Sequence, residues 1–301
     1  MRDFSEMLHA KWAERKFVCV GLDSQYDRIP KCVHVRFGSD VQGAIFYFNS
    51  CIVETTKCVA GSYKLNTAFY EAYGEAGLRA LKRTIEYIHE VSPGTPVILD
   101  AKRADIGNTN WDYVAAAFRE CKADAVTVNP YFGEEALRPF LIQKGKGIIV
   151  ICRTSNPGAR EFQDLHTLTL DPRARPEGVS AEEWLDQLSA DSMRLYERVA
   201  FNVATRWNKK GNCLLVVGAT YPVEAKSIRA KVGDIPFLII GVGTQGGDVE
   251  ATVLAGMDGR RMGMIIGSSS DIIFASGGRN FSEAAGLKAR GLHDKILQAM
   301  G

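Results

Sequence analysis

The chain has little charge of one sign, and the imbalance that would mark a nucleic-acid surface or an acidic tail is missing. Its 37 lysines and arginines against 35 aspartates and glutamates leave a formal charge of +2. That argues against nucleic acid as a partner, although a local anion site needs no net charge. The cysteines at 19, 32, 51, 58, 121, 152 and 213 are odd in number and contain no CxxC pair. Cys19, Cys152 and Cys213 lie in apolar runs, where a thiol behaves as a small hydrophobe. All seven are expected to be reduced, with no disulfide framework and no zinc site. The histidines at 9, 34, 89, 166 and 293 are scattered, and none ends a strand-like run. A metal site therefore lacks ligands, and a Ser-His-Asp triad lacks its base. No apolar run has the length of a membrane span. The first eight residues lack the apolar core of a secretory signal, so a cytoplasmic location is the expectation.

What is present is an ordinary globular composition, 46% hydrophobic and 24% charged over 301 residues. Eight short apolar runs have strand length: 17–22, 59–66, 96–100, 125–129, 147–152, 213–218, 236–241 and 261–267. Helical periodicity separates them over 39–58, 74–91, 111–121, 133–144, 181–209, 222–232 and 248–256. Further helices are predicted at 4–15 and 280–300, and a break near Pro139. Residues 158–180 are polar, carry Pro172 and Pro176, and are predicted to form a long loop after the fifth strand. Strands that read as continuous apolar runs are buried on both faces, as in parallel sheets. Eight strand–helix units favour a closed (β/α)8 barrel (a TIM barrel) over the alternative, a doubly wound open sheet. No linker or repeat divides the chain, so a single domain over 1–301 is expected.

Polar groups follow several strands. Asp23 comes after the first, Lys64 lies at the end of the second, Asp100 and Lys102 at the third, and Ser155 after the fifth. A strand-end charge is by itself most simply a solvated cap or a salt bridge. In a barrel, however, these ends converge on one face, where barrel enzymes place their chemistry. Asp100 and Lys102, two apart on a strand, share a side, and Asp105 follows where the chain must turn. After the seventh strand, 241–248 is rich in glycine, which frees backbone N–H groups to turn toward an anion. Its GxGxxG comes too late in the chain, and lacks the acidic partner, to be a dinucleotide fingerprint.

These residues sit in longer blocks: VGLD at 20–23, YKLNTAFYE at 63–71, LDAKRADIGNT at 99–109, VTVNPYFG at 126–133, TSNPGA at 154–159, VVGATYP at 216–222 and GVGTQGGD at 241–248. In these blocks the chain resembles the orotidine 5′-phosphate decarboxylase family, and more narrowly its longer bacterial type 2 subgroup. The resemblance covers nearly the whole chain. It implies a homodimeric barrel with shared active sites, converting orotidine 5′-monophosphate to UMP and CO2 with no metal or organic cofactor. Lys64, Asp100, Lys102 and Asp105 would form a charged array in which Lys102 protonates C6 of the pyrimidine. Asp23 and Lys64 would hold the ribose hydroxyl side, and Ser155 the pyrimidine. Gln245, between Gly243 and Gly246, would fold over the base and phosphate. Asp105, Ile106 and Thr109 would reach into the partner's site. The chain departs from the family pattern after the eighth strand, where Ser270 stands in place of a phosphate-gripping arginine. A charged contact of that kind is worth roughly 1.5–3 kcal/mol, or about ten- to a hundredfold in binding. Backbone N–H groups of 243–247, or Arg279, are the candidate replacements. The departure leaves a second reading, a nucleotide-binding protein of the same fold with feeble turnover. A metal-dependent barrel lyase acting on a sugar phosphate is a third, disfavoured by the lysine pair Lys64 and Lys102.

Overall fold

The structure, a computed structural model, describes residues 2–168, 175–190, 192–242 and 247–301. Eight parallel strands close into a barrel: β1 (Val18–Gly21), β2 (Ala60–Asn66), β3 (Val97–Arg103), β4 (Ala125–Val128), β5 (Gly147–Arg153), β8 (Cys213–Gly218), β9 (Phe237–Ile240) and β10 (Met264–Ser268). A separate antiparallel pair, β6 (His166–Thr167) and β7 (Met193–Arg194), lies outside the barrel. The barrel closes where β1 pairs with β10, Val18 opposite Ile266 and Val20 opposite Ser268. Gly21 ends β1 because the seam is tight: a Cβ there would lie 2.7 Å from Ser269 Cβ. Every residue of β1, β4, β8 and β10 is buried, as expected for strands covered by side chains within and helices without. The helix Gly74–Val91 is representative of that outer layer, burying Gly77, Ala80, Leu81, Thr84, Ile85 and Ile88 on one stripe.

All eight expected strands form, and the open-sheet alternative is excluded by closure. Four expectations need correction. The helix expected over 181–209 is interrupted: Ala181–Ala190 is followed by β7, then by Leu195–Asn202 and a π-helical turn, Val203–Trp207. Glu197 restarts the helix by accepting the Arg194 N–H at 3.0 Å. The stretch expected as a featureless loop contains a 3-10 turn at Pro157–Glu161 and β6, while 169–174 lie outside the described residues. The polar stretch around Pro30, between the first strand and the helix expected over 39–58, reads as a loop, yet Lys31–Phe37 within it is a helix that buries Val33. Pro139 is accommodated inside the helix Gly133–Leu141, which ends two residues later. Trp184 and Trp207 are both buried packing residues. Among the described residues no helix is long and apolar enough to cross a membrane.

At the N-terminal end of the barrel, Asp124 gathers the chain's first residues. Its fully buried carboxylate accepts from Arg2 Nε at 2.9 Å, Arg2 Nη2 at 2.8 Å and the Val97 N–H at 2.9 Å. Burial alone pushes its pKa up. The His89 ring, 3.3 Å from the carboxylate, and the hydrogen-bonded Arg2 guanidinium outweigh that and bring it to about 2.

Candidate active site

The opposite, C-terminal end carries a string of alternating charges. Lys64, near the end of β2, places its ammonium 3.2 Å from Asp23 Oδ1 and 3.0 Å from Asp100 Oδ2. Asp100 Oδ1 in turn lies 2.7 Å from Lys102 Nζ. The order Asp23–Lys64–Asp100–Lys102 therefore spans the ends of β1, β2 and β3. Lys64 and Asp100 side chains are 7% and 6% exposed, whereas Lys102 is 46% exposed. The buried pair is the fixed part, and Lys102 is the cation open to a ligand. Burial opposes the charge on Lys64, but the carboxylates of Asp23 and Asp100 overcome it and hold its pKa above the ordinary lysine range. Burial likewise opposes ionisation of Asp100, and the two lysines hold it well below the usual carboxylate range.

The backbone delivers this geometry through an irregularity. The register of β3 against β4 shifts between Leu99 and Arg103, and within that bulge Lys102 adopts φ +49°. A lysine in the left-handed region is uncommon and costs of order 1 kcal/mol. Thr127 on β4 fills the gap in the ladder. Its buried hydroxyl accepts the Lys102 N–H at 2.9 Å and donates to Asp100 Oδ1 at 2.8 Å. One side chain thus fixes both the backbone of Lys102 and the carboxylate beside its ammonium.

The other expected residues fall into three groups. Ser155 lies at the same mouth, half-buried against Gly218, where a Cβ would come within 2.9 Å of the Ser155 nitrogen. Ser270 begins the short helix Ser270–Ile273 beyond β10, and Ser269 ties that turn to β1 by donating to the Gly21 carbonyl at 3.1 Å. Asp105 is not brought to Lys102 within this chain. Its carboxylate accepts the Ile106 N–H at 2.7 Å, and it forms no ion pair among the described residues. Ile106 is 63% exposed, and Thr109 is exposed beside it. Gly243, Gln245 and Gly246 lie outside the described residues, while Val242 and Gly247 pair across the base of that segment. Among the described residues no group of three or more His, Cys, Asp or Glu side chains is assembled as a metal site. The two buried-end carboxylates are bridged by Lys64 instead.

Besides Thr127, the sequence reading missed Arg153. This last residue of β5 is fully buried, its guanidinium stacked 4.0 Å from the centre of the Tyr221 ring. It donates to the Thr154 carbonyl at 3.0 Å and faces Asp164 at 3.2 Å. Gln163 accepts the Thr154 N–H at 2.9 Å. These contacts pin the segment leading into Ser155. The signal was available, because Arg153 is a strand-end charge like Lys64. Asn110 was missed too; it donates to the Asp105 carbonyl at 2.6 Å and so fixes the start of the exposed 105–109 segment.

Comparison with known proteins bears on this arrangement. The family model described as "Orotidine 5'-phosphate decarboxylase / HUMPS family" matches residues 17–278. The chain is 43% identical over 295 residues to the orotidine 5′-phosphate decarboxylase of Azoarcus sp., covering 97% of this chain and 98% of that one. It is 40% identical over 294 residues to that of Cellvibrio japonicus, covering 97% of each. The solved structure of Leishmania donovani OMP decarboxylase superposes with a TM-score of 0.78 at 30% identity, over 99% of both chains. The barrel, the charged string and these relatives lead to one conclusion: the chain belongs to the orotidine 5′-phosphate decarboxylase / HUMPS family.

Proposed function

We propose that this protein decarboxylates orotidine 5′-monophosphate to UMP and CO2, with Lys102 as the proton donor. The observation that carries the reading is the string Asp23–Lys64–Asp100–Lys102, in which only the last cation is open to a ligand. The C6–carboxylate bond breaks with its electron pair left on C6, and CO2 departs. A fixed ammonium stabilises the charge growing on that carbon. It then transfers a proton to C6, and the neutral amine regains one from solvent. Asp100 stays ionised throughout and aims the ammonium. The charge balance needs no metal or organic cofactor.

The remaining roles belong to the same proposal. Asp23 and Lys64 hold the ribose hydroxyl side, Ser155 meets the pyrimidine, and Gly243, Gln245, Gly246 and Ser270 take the phosphate side. Asp105, Ile106 and Thr109 serve the neighbouring site of a homodimer, formed in the cytoplasm without nucleic acid. In support, Ile106, Trp111, Tyr131, Phe132 and Ile142 are apolar side chains at least 42% exposed. They lie on or beside the 105–111 segment and the helix Gly133–Leu141, a surface that suits a second copy. The decarboxylase name of the relatives at 40% and 43% identity favours turnover over nucleotide binding alone.

The test is the loss of orotidine 5′-monophosphate absorbance on adding the protein in EDTA. Turnover unaffected by the chelator is expected. Tight binding without turnover would support the binding-protein reading, and turnover lost to EDTA would support a metal-dependent lyase.

A further inference from the structure

Behind Asp23 lies a polar chain with no contact to the reacting groups. Ser24, Asn49, Tyr70 and Thr84 are all fully buried, and they come from four different segments: the turn after β1, and the helices Val41–Thr56, Ala68–Glu71 and Gly74–Val91. Ser24 Oγ donates to Asn49 Oδ1 at 2.5 Å. Asn49 Nδ2 donates to the Tyr70 hydroxyl at 3.0 Å and to Thr84 Oγ1 at 3.2 Å. Thr84 passes its own proton to the Ala80 carbonyl at 2.8 Å, and Tyr70 donates to the Leu22 carbonyl at 2.7 Å.

The proton count is closed. Tyr70 and Thr84 each have one hydrogen, already committed to a backbone carbonyl, so each presents only lone pairs to Asn49. Both Asn49 hydrogens are used, and its oxygen takes the Ser24 proton. A buried network in which every member is satisfied admits one arrangement and resists displacement. Its two free ends grip the residues on either side of Asp23, namely Leu22 through its carbonyl and Ser24 through its hydroxyl. Asp23 itself has only long contacts, 3.2 Å and 3.4 Å to Lys64 and 3.3 Å to the Asn66 N–H. Its aim is set from behind.

We propose that Tyr70 and Asn49 are positioning residues that fix the Asp23 carboxylate for the sugar hydroxyl, and so set discrimination between the ribonucleotide and its deoxy analogues. This rests on the reading of Asp23 given under the proposed function. Tyr70→Phe orphans the buried Leu22 carbonyl and removes an acceptor from Asn49. Ser24→Ala frees the other flank at almost constant volume.

The experiment measures kcat/KM for orotidine 5′-monophosphate and for its 2′-deoxy and 3′-deoxy analogues. Asp23→Ala is expected to cut the discrimination against one analogue by about a hundredfold, and Tyr70→Phe and Ser24→Ala to cut that same ratio about tenfold. Tyr63→Phe is the control. That hydroxyl is as deeply buried but is bonded to Thr56 and Val53, away from Asp23, so the wild-type ratio should persist. If Asp23→Ala collapses the ratio while Tyr70→Phe and Ser24→Ala keep it, the inference fails alone. It fails too if Tyr63→Phe lowers the ratio as much as Tyr70→Phe does. If Asp23→Ala leaves the ratio intact, the sugar-binding role of Asp23 falls and the inference falls with it.

Discussion

Thr127 joins the last two members of the charged string, Asp100 and Lys102, at the scale of single residues. Thr127→Val keeps the volume but removes the acceptor of the Lys102 N–H and the donor to Asp100. A loss of about 1–2 kcal/mol in stability is expected, read as a lowered Tm. With Lys102 no longer held at its left-handed backbone angle, kcat should fall about tenfold. An unchanged kcat would show that Asp100 alone positions the ammonium. Ser270→Arg tests the other end of the substrate: kcat/KM for the nucleotide should rise about ten- to a hundredfold, and no rise would mean that another cation already holds the phosphate. The strand-end rule made Asp23, Lys64, Asp100 and Lys102 legible from sequence, and it would have found Arg153 as well. Thr127 was not legible, because nothing in the run VTVN says that its hydroxyl meets Asp100 across a bulge.

Among elements, the strands were readable and some helices were not, for one physical reason. A barrel strand is buried on both faces and appears as a bare apolar run, so all eight were found. Helical spacing is weaker punctuation. The apolar stripe from Trp184 to Trp207 continues across β7, where pairing with His166–Thr167 overrides local periodicity. Elements also need anchoring at the end of the barrel away from the site. Asp124→Asn should destabilise the fold by about 2–4 kcal/mol by leaving Arg2 without its carboxylate. Because the pKa of Asp124 is lowered to about 2, from about 3.9 in an unfolded chain, its contribution is complete above pH 4 and is lost as pH falls toward 2. Denaturant titrations of the two proteins should therefore show a clear gap at neutral pH that closes as pH falls toward 2. A gap that persisted at pH 2 would contradict the assignment.

At the scale of the whole molecule, Asp105 stands apart from Lys102 within one chain, and the proposed homodimer would bring the partner's copy to it. If Asp105 serves the partner, Lys102→Ala and Asp105→Ala are each inactive alone, yet mixing them rebuilds one intact site per mixed dimer. Random exchange should recover about a quarter of wild-type activity, and no recovery would confine each site to its own chain. The central claim remains that the exposed ammonium at the end of the charged string gives its proton to C6. The most direct measurement is the single-turnover rate of Lys102→Ala with saturating orotidine 5′-monophosphate. Loss of both charge stabilisation and the proton donor should slow decarboxylation by at least about 10⁴-fold while the nucleotide still binds; a rate within tenfold of wild type would contradict the account.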